Sequence, residues 1–138
     1  MWIAGSLPVS LQRAGEHFDG WLPNAGDALP WGQRWAQIPA VAREAGCDPD
    51  RLEGAMYLTL SVDADVARAN RRLDAYLEQY YGQPAVVRDR RECYARLPSG
   101  LGAYLTGYAM AGAAHLILRI AGDHARHLEL VAAVRSGL

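Results

Sequence analysis

Lysine is missing from this 138-residue chain, and all fourteen of its basic residues are arginine. That absence excludes a lysine Schiff base and the phosphate-gripping lysine of a P-loop. Cysteine is scarce: Cys47 and Cys93 stand alone, without CxxC spacing or the numbers for a disulfide framework, and read as two reduced cytosolic thiols. Charge of one sign is also lacking. The net charge of −1 leaves no electrostatic footprint for nucleic acid. No apolar run approaches the roughly 20 residues needed to span a bilayer. The N-terminus has no basic leader, and its first apolar run is broken by Gly5 and Pro8, so no signal peptide is visible. A cytoplasmic protein with neither membrane nor nucleic-acid partners is the expectation. No Ser-His-Asp order and no zinc motif is present.

What remains is ordinary globular material, with 51% hydrophobic and 21% charged residues. One domain, 1–138, is expected, long enough to bury roughly 70% of the surface its unfolded chain exposes. The stretch Met1 to Pro23 sets the pattern. Trp2 to Ala4 is an apolar run ended by Gly5, as in a buried parallel strand. Ser6 is placed to cap a helix whose first turn holds Pro8, and Leu11, Ala14 and Phe18 recur at helical spacing. Asp19-Gly20 turns the chain into a short strand at Trp21-Leu22. Pro23 to Pro30 is a loop by composition.

Trp31, Trp35, Ile38 and Ala42 share a helical face, with a kink or break expected at Pro39. Met56, Leu58, Leu60 and Val62 alternate with Tyr57, Thr59 and Ser61, the period of a strand. Asp63 is read as the N-cap of a helix striped by Val66, Ala69, Leu73, Tyr76, Leu77 and Tyr80, and stopped by Gly82-Gln83-Pro84. Ala85 to Leu97 is arginine-rich and read as a short helix; within it, Arg88-Asp89-Arg90-Arg91-Glu92 mixes signs as a solvated face does. Ser99 is read as the cap of a helix carrying Leu101, Tyr104, Leu105 and Tyr108 and ending at Ala111-Gly112. His115 to Ile120 is a fourth strand, and Asp123 caps a last helix. Strands alternating with helices predict an α/β fold with a parallel sheet.

Several side chains invite chemistry. The turn Gly5-Ser6 before a helix suits an anion: backbone N–H groups can approach closely, a hydroxyl adds a donor, Leu7 adds another N–H, and the helix dipole favours negative charge. A plain turn and cap explains the same residues. Arg119 lies inside an apolar strand, which calls for a ligand-facing role or a structural partner. His124 and His127 are spaced to share a metal; lacking a third ligand, they are read as a solvated helix face, and no metal is expected. Neither His17 nor His115 has a sequence-local carboxylate arranged as an orienting group for acid–base catalysis. The four tryptophans offer a flavin stack but at these spacings are expected in the core or an interface, and Tyr80-Tyr81 suits an interface.

Trp2-Ile3-Ala4-Gly5-Ser6 followed by Asp19-Gly20-Trp21-Leu22-Pro23 resembles the second half of luciferase-like flavin-dependent oxidoreductases, a group that includes deazaflavin (F420)-dependent enzymes. The resemblance continues through Ala45-Gly46-Cys47-Asp48-Pro49, Tyr57-Leu58-Thr59-Leu60-Ser61-Val62-Asp63, Tyr80-Tyr81-Gly82 and Ala111-Gly112-Ala113-Ala114-His115-Leu116-Ile117-Leu118-Arg119. The stretch Leu97 to Gly102 departs from the family's Gly-x-Pro-Glu-Glu pattern. The resemblance implies the C-terminal half, about four βα units, of a TIM (β/α)8 barrel of the bacterial luciferase-like type. It implies FMN or F420 as cofactor, with Gly5, Ser6 and Leu7 at the cofactor phosphate and Arg119 as a substrate-side residue. The expected function is the C-terminal part of a flavin- or F420-dependent oxidoreductase or monooxygenase, incomplete as a catalyst alone because a full barrel takes roughly 250 residues. The alternative is a non-catalytic binding or assembly module. Either way four strands without closure leave open edges, so a homodimer or a complementary N-terminal half-barrel is expected as partner.

Overall fold

A computed structural model describes residues 1–23, 26–84 and 92–135. The elements run β1 (Trp2–Ile3), α1 (Pro8–His17), β2 (Gly20–Trp21), α2 (Ala28–Trp35), α3 (Ile38–Glu44), β3 (Glu53–Leu60), α4 (Val66–Tyr81), β4 (Cys93–Tyr94), α5 (Leu101–Met110), β5 (His115–Ile120) and α6 (His124–Arg135). The chain divides into two compact units. One comprises Met1–Tyr57 and Gly107–Ile117, the other Leu58–Thr106 and Leu118–Leu138.

In the first unit β1 pairs in parallel with β2, and β2 with the start of β3. Ala114 N–H closes the other edge of β3 by donating to the Gly54 carbonyl. Helix α1 buries Leu11, Ala14 and Gly15, the face its apolar spacing predicts. The amphipathic stretch after Trp31 is two helices: α2 ends at Trp35, and Pro39 sits in the first turn of α3. Pro39 thus breaks the helix, because a proline tolerates only the first turn, where its missing N–H has no partner to lose. The core here is tryptophan. Trp21 and Trp31 are wholly buried and stack at 5.7 Å, and Trp35 stacks on Trp31 at 5.9 Å. Gly54 makes room for them, since a Cβ there would meet the Trp31 ring at 2.9 Å.

In the second unit, Thr59 and Ser61 donate their N–H groups to the carbonyls of Glu92 and Tyr94, and Ala121 N–H donates to the Leu60 carbonyl. Strand β4 therefore pairs in parallel with the end of β3, Cys93 beside Thr59 and Tyr94 beside Leu60. This corrects the helix expected over Ala85 to Leu97 as far as its described part goes; residues 85–91, with most of the mixed-charge run, lie outside the described residues. The reason is that backbone donors at the end of a buried strand need acceptors, and β4 supplies them. Helix α4 buries Ala69, Leu73 and Leu77, with Tyr76 and Tyr81 packed beside them.

Three cap assignments shift. Pro8 requires an extended residue before it, so Leu7, at ψ 153°, takes the N-cap place of α1 and Ser6 falls one residue outside the helix. Asp65, not Asp63, caps α4, its carboxylate accepting from the N–H groups of Ala67 and Arg68. Ser99 lies within a tight turn, Pro98–Gly100, that leads into α5. Strand β3 keeps its expected position, but Ala55, Met56, Leu58, Thr59 and Leu60 are all wholly buried. Its alternation reflects residue type and not one wet face, as in parallel strands covered on both sides.

Candidate functional site

The turn after β1 is the best-formed candidate. Gly5 has φ +104°, a backbone conformation that side chains rarely adopt. A Cβ on Gly5 would stand 2.6 Å from the Ser10 hydroxyl oxygen. The Gly5 carbonyl accepts from Trp21 Nε1 at 2.7 Å, so β2 holds the turn from beneath. The Leu7 carbonyl accepts from the N–H groups of Ser10 (2.8 Å) and Leu11 (3.2 Å) to start the helix. Among the described residues nothing accepts from the N–H groups of Ser6, Leu7 and Val9, and nothing bonds the Ser6 hydroxyl. Donors without intrahelical partners are what a helix N-terminus offers an anion. Ser10 and Trp21 contribute to this turn without being singled out by the sequence. Ser10 carries a readable signal, four residues after Ser6 in the first helical turn; the Trp21 bond depends on strand register and has none.

Arg119 lies elsewhere, in the second unit. It is buried, and its Nε and Nη2 donate to the Thr59 hydroxyl at 2.9 and 2.7 Å. The Tyr81 hydroxyl lies 3.4 Å from both terminal nitrogens. The guanidinium carbon sits 4.6 Å from the Tyr80 ring centre, 5.5 Å from Tyr81 and 5.6 Å from Tyr76. Cation–π contact with the tyrosines and the bonds to the Thr59 hydroxyl help to hold this charge in the interior.

At the end of β3, Asp63 is buried and accepts from Arg68 through two bonds, 2.9 and 2.6 Å, from Arg72 at 3.1 Å and from the Asp65 N–H at 2.9 Å. These donors, Arg68 first, hold its carboxyl far below the usual carboxylate range. Arg72 also reaches the Ser61 hydroxyl and the Val62 carbonyl. His127 is buried, which corrects its expected place on a solvated helix face; its Nε2 accepts from the Val62 N–H at 2.8 Å. The sequence shows only its spacing from His124, not the strand end it reaches. His115 is half exposed, against the Trp2 ring at 5.1 Å and Glu53 at 3.4 Å. His17 is 3.5 Å from Glu16 on an exposed helix end.

Parallel strands alternating with helices, with a glycine turn opening onto a helix N-terminus, define an α/β architecture. Residues 1–137 match the family described as luciferase-like monooxygenase, and the chain belongs to that family. Among solved structures it is similar to an F420-dependent secondary alcohol dehydrogenase in complex with an F420–acetone adduct, with TM-score 0.80 and 19% identity, over 96% of this chain and 47% of that one. It is likewise similar to the coenzyme F420-dependent tetrahydromethanopterin reductase of Methanopyrus kandleri, with TM-score 0.65 and 19% identity, over 94% and 48%. A curated relative, 5,10-methylenetetrahydromethanopterin reductase of Methanolobus tindarius, is 40% identical over 69 residues, which is 50% of this chain and 21% of that protein. The chain spans about half the length of these solved structures, and its fold is that of half a luciferase-like barrel. No helix among the described residues is long and apolar enough to cross a membrane.

Proposed function

We propose that this chain is the C-terminal part of an FMN- or F420-dependent oxidoreductase, one half-barrel domain over 1–138, and that Gly5, Ser6 and Leu7 grip the cofactor's phosphate. The observation that carries this is the Gly5 turn. Its carbonyl is tied back to Trp21 while the N–H groups of Ser6 and Leu7 stay available beside the helix N-terminus. The residues fit a phosphate: they offer donors and no carboxylate, and a side chain at position 5 would close the approach. Such a cofactor, when bound, supplies hydride transfer; the chain's own share is to bind and orient it. Ser6 contributes a hydroxyl donor, Leu7 a backbone N–H, and Gly5 the close approach.

Complete catalysis needs the other half of the barrel, from a further polypeptide segment or a second copy of this chain. Supporting this, β1 pairs with β2 on one edge only among the described strands, and apolar Ile117 in β5 is 38% exposed. A two-fold dimer covering such edges is the simplest form. A cytoplasmic location belongs to this reading, consistent with two free cysteines. Arg119 is the proposed substrate-side residue, held among Thr59, Tyr76, Tyr80 and Tyr81.

The test is fluorescence titration of FMN and of F420 with the purified chain, alone and joined to a complementary half. Saturable quenching that weakens at least tenfold in Ser6→Ala and Gly5→Asp is expected. Equal binding by wild type and both variants would remove the assignment. No binding of either cofactor in either form would leave a non-catalytic assembly module as the better reading.

A further inference from the structure

We propose that His127 is a pH-operated latch joining the first turn of α6 to the end of β3. The geometry leaves its imidazole one protonation state. Nδ1 lies 2.6 Å from the Asp123 carbonyl oxygen. A carbonyl only accepts, so Nδ1 carries the hydrogen. Nε2 lies 2.8 Å from the Val62 nitrogen. A backbone N–H only donates, so Nε2 is bare. The neutral Nδ1–H tautomer is therefore built in, and the one site left for a second proton already faces a donor.

The surroundings reinforce this. His127 is 1% exposed, and burial disfavours the imidazolium. The Asp123 carbonyl, through its bond to the ring, favours the cation and is outweighed by burial; Arg72 from α4 and Arg126 from α6 oppose a positive ring, and the Asp123 carboxylate favours it least. The Asp63 carboxylate in the β3–α4 loop does not rescue the cation, because Arg68, Arg72 and the Asp65 N–H already occupy it. Burial comes first among these causes and pushes the His127 pKa below its ordinary value.

The consequence is an acid-triggered opening. The closed latch resists the proton; a ring swung out to solvent takes it near the ordinary imidazole value of about 6.5. Below that pH the open form gains on the closed one by up to about tenfold per pH unit, the limit for one linked proton. The gain ends where the closed form itself titrates. Opening frees the Val62 N–H and loosens the first turn of α6, whose Asp123 carbonyl accepts from both the His127 N–H and its ring. The segment Ser61–Asp63 and the start of α6 are the parts that respond.

Hydrogen exchange at the Val62 and His127 amides, corrected for intrinsic rate, tests this between pH 8 and pH 5. Wild-type protection is expected to hold above about pH 6.5 and to fall by up to about tenfold per unit below it. His127→Gln, which keeps an acceptor but takes up no proton, is expected to show no such slope. His17, His115 and His124 remain in that variant as internal controls. Protection that stays level to pH 5 in the wild type, or a slope that survives in His127→Gln, overturns the latch. Should His127→Gln fail to fold, imidazole nitrogen shifts in the wild type decide. An Nδ1–H ring still neutral at pH 6.5 supports the latch, and an Nε2–H ring or a titration that leaves the Val62 amide unmoved overturns it.

Discussion

Trp21 donates its indole N–H to the Gly5 carbonyl at 2.7 Å, whereas the indole N–H of Trp31, stacked on it at 5.7 Å, is buried with no acceptor among the described residues. Two neighbouring rings of the same kind thus differ by one hydrogen bond. Trp21→Phe removes a bond and leaves a carbonyl short of a partner, at a cost of about 1 kcal/mol or more beyond lost packing. Trp31→Phe removes a donor that has no acceptor among the described residues. Since both changes delete similar volume, the difference in urea midpoints isolates the bond: Trp21→Phe is expected to be the less stable variant, and equal midpoints would show that the bond contributes nothing.

Gly5→Ala meets two obstacles, a φ of +104° and a Cβ 2.6 Å from the Ser10 hydroxyl oxygen. A loss of about 1–3 kcal/mol is expected on denaturant unfolding. Gly5→Ala combined with Ser10→Ala removes the collision but not the torsional strain, so only part of the loss returns. Full recovery in the double variant would assign the whole effect to the collision.

Thr59 accepts twice from the Arg119 guanidinium. Thr59→Val keeps the shape of the side chain and deletes the acceptor, so two charged donors lose it inside the protein. A loss of about 1.5–3 kcal/mol is expected. Thr59→Ser retains the oxygen and costs less, because only a methyl group is lost. Equal effects would show that packing at Thr59, not hydrogen bonding, matters.

Asp63 sets an acid limit at lower pH than His127. Its carboxyl is held well below the usual range, chiefly by Arg68. A depressed carboxylate pKa stabilises the fold above the unfolded value of about 3.9 and loses that contribution as pH falls toward the folded value. Stability of the wild type is therefore expected to drop below about pH 4. Asp63→Asn is expected to be less stable at pH 7, with a shallower decline in that acid range, as read by thermal melts against pH. A parallel decline in both proteins would place the acid sensitivity elsewhere.

Much of the architecture is legible because periodicity and punctuation agree. Leu11 and Ala14 define the buried face of α1, Pro39 separates α2 from α3, and Gly82 ends α4. What escapes is contact between residues distant in sequence. Asp63 reads as the cap of α4, but Arg68 and Arg72 engage its carboxylate, and Asp65 caps the helix instead. Ser6 looks like a cap until the restriction Pro8 places on Leu7 is counted, a local rule that could have been applied from the sequence. Strand β4 has two residues and no periodicity to read. The candidate site shows the same division: the Gly5-Ser6 turn stands out in the sequence, while the Trp21 bond that holds it depends on how β2 lies beside β1.

All four tryptophans, Trp2, Trp21, Trp31 and Trp35, fall in the unit formed by Met1–Tyr57 and Gly107–Ile117, and none falls in the other. Optically the molecule is lopsided. Indole emission excited at the red edge reports one unit alone, and the stacked Trp21–Trp31–Trp35 rings are placed to give an exciton signal in far-ultraviolet circular dichroism. The unit holding His127, Asp63 and Arg119 is visible only through its tyrosines. Comparing the two signals during unfolding would reveal whether the units melt together, without attaching any label.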